Sequence, residues 1–269
     1  MSNRGLLIEF IEKAFPIRFF LARLTRVPLA GHVMHYLFFH EDDIMYIPKD
    51  TVIPIDTSVE RPPDMVLPSR VVEYFIEKAR YHWIMNFCIC RESLQCTEYP
   101  IELGCLFLGE AAMKIRPDLG RKVTRKEALE HVKKCREAGL VHLIGRNKLD
   151  AMWLNVRPGE KLMTICNCCP CCCLWKMLPD LDSDIGIKVT KMPGVSISIT
   201  DHCTGCGICV DSCFVRAITI KNGKAVVSQE CRGCGRCVET CPHAAISISI
   251  DEGFYTESIE RLDAVVDVS

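Results

Sequence analysis

One cysteine spacing occurs twice near the C-terminal end of the chain: Cys203-x2-Cys206-x2-Cys209-x3-Cys213, then Cys231-x2-Cys234-x2-Cys237-x3-Cys241 followed by Pro242. Eight thiols this close repel one another as thiolates unless metal neutralises them, so the pattern ties folding to metal. A loop with a sulfur at every third residue wraps three corners of a cubane iron–sulfur cluster, and in runs of this form the fourth cysteine serves the other cluster. The assignment is therefore crossed, with one 4Fe-4S cluster on Cys203, Cys206, Cys209 and Cys241 and the other on Cys231, Cys234, Cys237 and Cys213. Gly205, Gly207, Gly233 and Gly235 let the backbone turn tightly with amides facing the sulfurs. Two zinc sites are the plain alternative for CxxC pairs, which the double spacing with interleaved glycines disfavours.

The flanks of the two runs read as short strands: VSISIT from 195, AITIKNGKAVVS from 217 with a central Asn-Gly turn, and AAISISI from 244. With these motifs, residues 195–250 resemble the bacterial two-cluster ferredoxin family. The resemblance implies a pseudo-symmetric βαββαβ fold and one-electron transfer. Phe214 departs from it, standing where the family usually has a proline after the fourth cysteine; Pro242 keeps that proline in the second run.

Two further cysteine groups lie upstream, and a free ferredoxin needs neither. Cys88-x-Cys90-x5-Cys96-x8-Cys105 offers four thiols, enough for one cluster or one zinc, against the ordinary fate of a free cysteine as a small buried hydrophobe. Arg91 beside Cys90 would lower thiol pKa and stabilise an anionic cluster. The run Cys166-Asn-Cys168-Cys169-Pro-Cys171-Cys172-Cys173 hides two frames, Cys166-x2-Cys169-x2-Cys172 and Cys168-x2-Cys171, which cannot both wrap one cubane. Either one frame binds a cluster while the other thiols face a second, or the run holds a cluster with more irons than a cubane. The metal-ligand candidates are Cys88, Cys90, Cys96, Cys105, Cys166, Cys168, Cys169, Cys171 and Cys172, with one or two further iron–sulfur clusters expected in residues 69–175. Over residues 69–250 the chain loosely resembles cysteine-rich iron–sulfur proteins of anaerobes that join a CxCR segment and a CNCCxCC run to a ferredoxin module. Cys135 fits neither set and reads as core.

The 19 cysteines stand out in a chain whose net charge of -1 carries no nucleic-acid footprint. Residues 6–26 interrupt their apolar character with Glu9, Glu12, Lys13, Arg18, Arg23 and Arg26, unlike a signal peptide, which places the expectation in a reducing cytoplasm. No stretch reaches the roughly 20 apolar residues of a membrane span. The amphipathic face over 6–24 could serve a membrane surface peripherally or a partner groove, although core packing explains it more simply. His32, His35 and His40 read as packing or surface residues rather than ligands, and no Walker, dinucleotide or nucleophile-elbow motif is present.

The expected fold class is α+β: a mainly helical cysteine-rich N-terminal domain followed by a βαββαβ ferredoxin-like domain. The expected divisions are a helical arm with a short strand-like end (Ile44–Ile47, Thr51–Ile55) over 1–60, a cysteine-rich domain over 61–175, a linker over 176–194, the ferredoxin over 195–250 and a loosely ordered acidic tail over 251–269. Ser69 should cap a helix leading to Cys88, and Thr124 with Glu127 forms a capping box closed by Gly139. The functional reading is a non-catalytic electron-transfer subunit serving a partner redox protein or oxidoreductase complex. The alternative is an enzyme or metallocluster-handling protein with an unusual cluster at 166–173. A DNA-binding redox regulator ranks last, for want of a basic recognition helix.

Overall fold

The computed structural model describes residues 6–53 and 66–269. Three short helices open it, α1 (Leu6–Ala14), α2 (Arg18–Leu24) and α3 (Pro28–Met34), followed by one π-helical turn over His35–Phe39. Then come β1 (Asp43–Tyr46), α4 (Ser69–Lys78), β2 (His82–Met85), α5 (Ile89–Ser93), β3 (Leu106–Leu108), β4 (Gly120–Val123), α6 (Arg125–Glu137), β5 (Val141–Arg146), α7 (Lys148–Trp153), β6 (Met163–Cys168), α8 (Ser183–Gly186) and β7 (Val189–Lys191). The last stretch runs β8 (Val195–Ile199), α9 (Ile208–Ser212), β9 (Ile218–Lys221), β10 (Lys224–Val227), α10 (Arg236–Thr240), β11 (Ile246–Ile250) and α11 (Phe254–Asp263).

Helices and strands are both present, as an α+β chain requires, but the cysteine-rich region is not mainly helical. It is built on a seven-stranded sheet of order β4-β2-β3-β6-β5-β1-β7, antiparallel except for the β1–β7 pair. Its central strands are buried on both faces, all of β2 and β3 included, so they lack the alternation by which a half-exposed strand announces itself. One face presents Met45, Ile84, Leu106, Leu108, Ile144, Met163 and Ile165, packed with Val72 and Phe75 of α4, Ala128 and Val132 of α6, and Val195 and Ile248 of β8 and β11. The opposite face carries Ile44, Tyr46, Val141 and Leu143 under Ala22, Phe39 and Trp175. Farther along that face, Trp83, Met85 and Phe107 meet Ile8 of α1.

The local caps follow their side chains. Thr124 accepts from the Glu127 amide while Glu127 answers the Thr124 amide, and Gly139 at φ 77° ends the α6 turn. Ser69 is the first residue of α4 rather than its cap; its N–H donates to the Asp50 carboxylate at 3.0 Å, a cap supplied by tertiary structure. Val52 and its neighbours form a single 3-10 turn instead of a second strand; Ile55 and residues 61–65 of the proline-rich stretch lie outside the described residues.

Two C-terminal expectations are corrected. The stretch read as a linker supplies β7, which pairs in parallel with β1 at the sheet edge, Ile44 opposite Val189. Its aspartates and glycines hid that strand, which is only three residues long. The acidic tail is the docked helix α11: Leu262 is fully buried, Val266 and Val268 are buried beside it, and Arg261 grips Asp43 through both carboxylate oxygens. Counting charges missed it because the acids lie on the solvent side of an amphipathic helix. Leu262→Ala should cost about 2–5 kcal/mol, read as a lower denaturation midpoint in anaerobic chemical unfolding.

Candidate iron–sulfur and metal sites

The C-terminal segment runs β8-α9-β9-β10-α10-β11, with β8 antiparallel to β11 and β9 to β10. The β9–β10 turn is Asn222-Gly223, both at positive φ (50° and 74°), the backbone that suits a tight hairpin. The two cysteine runs are built alike. Gly207 and Gly235, at φ 84° and 83°, start α9 and α10 in the left-handed region that a side chain would resist. In each run the residue four past the last cysteine donates its amide back to that sulfur at 3.3 Å, Ala217 to Cys213 and Ala245 to Cys241. Ala225 donates likewise to Cys203 at 3.3 Å and Gly233 to Cys231 at 3.4 Å.

Those runs cross in space. Cys203, Cys206, Cys209 and Cys241 line one small cavity. Cys213 interacts with Cys231, Cys234 and Cys237, whose thiols are held high by burial, Cys234 up to about 11 and Cys237 up to about 12. Cys206 is exposed, so the first foursome opens toward solvent while the second faces inward. The donor chemistry fits 4Fe-4S clusters: four sulfurs per set, backbone amides aimed at sulfur, and glycines where a Cβ would collide, as at Gly205 against the Gly223 carbonyl.

The sheet sorts the upstream thiols differently from their order in sequence. β3 and β6 pair with Leu106 opposite Ile165, which sets Cys105 beside Cys166, their sulfurs 3.8 Å apart. Cys166 and Cys168, two residues apart, share one face of β6. The thiols of Cys88 and Cys90 at the start of α5 interact with each other, as do those of Cys173 and Cys168. Cys96 is separated from this group and joins Cys169, Cys171 and Cys172, all four sulfurs lying within 4.8 Å of one another. Neither of the two frames hidden in the 166–173 run survives as a unit. Cys173, absent from the ligand set drawn from sequence, belongs with Cys168; it lies past the end of β6, and no local spacing points to it.

The compact foursome suits one ion. Its Cys96–Cys171 and Cys171–Cys172 sulfurs are 3.6 Å apart, close to the edge of about 3.8 Å that a tetrahedron of thiolates has around a metal with bonds of about 2.3 Å. Around the remaining thiols lie cations. Arg91 is fully buried, donates to the Asn167 carbonyl at 2.8 Å and to the Leu103 carbonyl, and faces Cys88, Cys169, Cys105 and Cys168. The Cys88 thiol is drawn down by its Cys90 hydrogen bond and by Arg91. Cys168 is drawn down by Cys166 and Cys173, with Arg91 and Arg236 adding to the effect.

Cys135 is fully buried in α6 with its thiol pushed up to about 12 by burial, as a core residue. His32 lies on α3, His35 opens the π turn and His40 follows it, the His35 and His40 ring centroids 6.1 Å apart. Among the described residues the one set of three or more such donors drawn within 4.8 Å is the cysteine foursome. No helix among the described residues is long and apolar enough to cross a membrane.

Comparison with known proteins agrees with the ferredoxin-like reading of this segment. Residues 196–242 match the 4Fe-4S dicluster domain family. No curated protein matches the chain. The chain therefore carries an iron–sulfur, ferredoxin-like segment with electron-transfer capacity, set on a cysteine-rich sheet region. Cys171→Ser should remove one equivalent of metal and no sulfide from anaerobically purified protein, leaving the visible iron–sulfur absorption in place, as metal and sulfide analysis would read.

Proposed function

We propose that the protein is an iron–sulfur electron-transfer subunit. It carries 4Fe-4S clusters on Cys203, Cys206, Cys209, Cys241 and on Cys231, Cys234, Cys237, Cys213, and passes electrons through further metal centres upstream to a partner oxidoreductase. The observation that carries this reading is the crossing of the two runs into one solvent-facing and one inward-facing foursome, each with amides on its sulfurs. Clusters bound there would supply reversible one-electron storage. The residues do the rest. The amides of Ala217, Ala225, Gly233 and Ala245 offset negative charge at sulfur, which raises reduction potential. The exposed Cys206 end offers short transfer distance to an external redox protein, and the inward end faces the sheet.

Two arginines and an aromatic residue join this segment to the upstream thiols. Arg236, between Cys234 and Cys237, donates to the Cys168 carbonyl at 2.6 Å. Phe214, the departure from the family's proline, stacks against Tyr46 of β1 with centroids 5.2 Å apart. Arg216 on the same loop pairs with Asp180 at 3.0 Å. The segment thus reads as a fixed part of a larger relay rather than as a mobile carrier.

Anaerobic iron and sulfide analysis with low-temperature EPR tests this reading. The expected outcome is two interacting cluster signals on stepwise reduction. Cys203→Ser and Cys241→Ser should perturb the same signal, and Cys213→Ser the other. Signals in which Cys241→Ser instead matches Cys231→Ser would overturn the crossed ligation. Loss of no signal in any of these variants would overturn the electron-transfer reading itself.

A further inference from the structure

Six upstream thiols remain once the compact foursome is set aside: Cys88, Cys90, Cys105, Cys166, Cys168 and Cys173. They converge on one face of the large sheet from three segments, α5, the start of β3, and β6 with the loop after it. Contacts link four of them, Cys105 to Cys166 at 3.8 Å and Cys168 to Cys166 and Cys173, while Cys88 and Cys90 interact with each other and lie within electrostatic reach of Cys105 and Cys168. The apolar packing keeps the foursome apart from part of this set: Cys166, Cys168 and Cys173 share a cluster with Cys213, Cys231 and Cys234 of the ferredoxin segment and Cys105 packs beside Cys166, whereas Cys96, Cys169, Cys171 and Cys172 pack with Cys135.

The walls of this pocket hold hydrogen-bond donors that have no acceptor. Arg18 Nε, Arg91 Nε and Tyr46 Oη are all buried without a partner. Arg18 faces Cys90 and Cys173 and also Cys172 of the compact foursome, Arg91 faces Cys88, Cys105 and Cys168 and also Cys169 of that foursome, and Tyr46 faces Cys173, Cys168 and Cys234. A buried donor left unmet is costly, so three around one pocket mark a missing anionic acceptor. Six thiols exceed the four of a single ion or cubane, and two guanidinium groups supply the counter-charge that a buried anionic iron–sulfide group requires.

We propose that these six thiols hold an iron–sulfide cluster of their own, distinct from the ion in the compact foursome, and that this pocket exchanges electrons with the inward ferredoxin site through Tyr46 and Arg236. The inference rests on the electron-transfer reading of the ferredoxin segment. Electron exchange between the two sites moves one electron, with no bond made or broken: the ferredoxin site is oxidised as the pocket is reduced. Tyr46 and Arg236 are positioning residues, since Arg236 touches the Cys168 backbone and the buried Tyr46 hydroxyl is an unpartnered donor near both Cys168 and Cys234.

The test uses the full chain, reconstituted anaerobically with ferrous iron and sulfide. Wild type should bind clearly more sulfide than the about 8 of two cubanes, with an EPR signal beyond those of the ferredoxin segment. Paired Cys105→Ser and Cys168→Ser should abolish that surplus sulfide and signal and keep the ferredoxin signals. Paired Cys96→Ser and Cys171→Ser should keep the surplus sulfide. Tyr46→Phe should shift the midpoint potential of the extra signal downward, because a lost hydrogen bond disfavours the more negative reduced state. Equal loss of surplus sulfide in both paired variants, or no surplus in wild type whose ferredoxin signals are intact, would overturn the proposal; absent ferredoxin signals would instead defeat the electron-transfer reading. Mass-spectrometric mapping of thiol alkylation on wild type during chelation needs no folded variant. The six thiols should become reactive together on a time course separate from the four, and a single shared time course would refute two sites.

Discussion

The pairing of β3 with β6 governs everything upstream of the ferredoxin segment. With Leu106 opposite Ile165, Cys105 stands beside Cys166, and Cys166 in turn lies opposite Leu143 of β5. A slip of one residue would turn Cys166 and Cys168 to the other face, among the side chains of α4 and α6, and scatter the pocket. Asn167 guards against that slip. Its amide nitrogen donates to the Gly104 carbonyl at 2.7 Å, its side-chain oxygen bonds His142 Nδ1 at 2.8 Å, and its carbonyl receives Arg91. Burial pushes His142 down to about 4, so the ring stays neutral and keeps its N–H for Asn167. One buried asparagine thus fixes the strand register on which the thiol geometry depends.

Charge is the second constraint. Bringing ten upstream thiols close together is tolerable only where protons, metal or guanidinium groups meet their charge. The two thiol groups divide that burden unequally. Cys96, Cys169, Cys171 and Cys172 lie close enough to share one cation, while Arg18 and Arg91 are buried beside the remaining set. Arginine suits this role better than lysine, since its planar fork can serve a backbone carbonyl and a sulfur at once. Arg91 has two carbonyls already engaged and one nitrogen to spare.

Much of the ferredoxin segment was legible in the sequence because its determinants are local: cysteine spacing, positive-φ glycines and the Asn222-Gly223 turn all act within a few residues. The capping box at Thr124 was legible for the same reason. The large sheet was not, because β2 and β3 are three or four residues long and buried on both sides, with neither length nor alternation to reveal them. The grouping of upstream thiols escaped spacing arguments as well. Cys96 and Cys171 meet across 75 positions, a contact that a strand register decides and no local rhythm records. Helix α11 was hidden by composition, since counting acids says nothing of Leu262 on its inner side.

Phe214 gives the duplicated segment something a repeat lacks. Its two halves match in amide–sulfur bonds and in glycine conformation, so each could take the other's place. Only the first half carries an aromatic ring after its fourth cysteine, and that ring rests on Tyr46 of the sheet. With Arg236 on the Cys168 carbonyl in the second half alone, Phe214 breaks the internal twofold and distinguishes one seating of the segment from the other. The two like halves therefore end in unlike surroundings, Cys206 at the exposed end and Cys237 buried at the other.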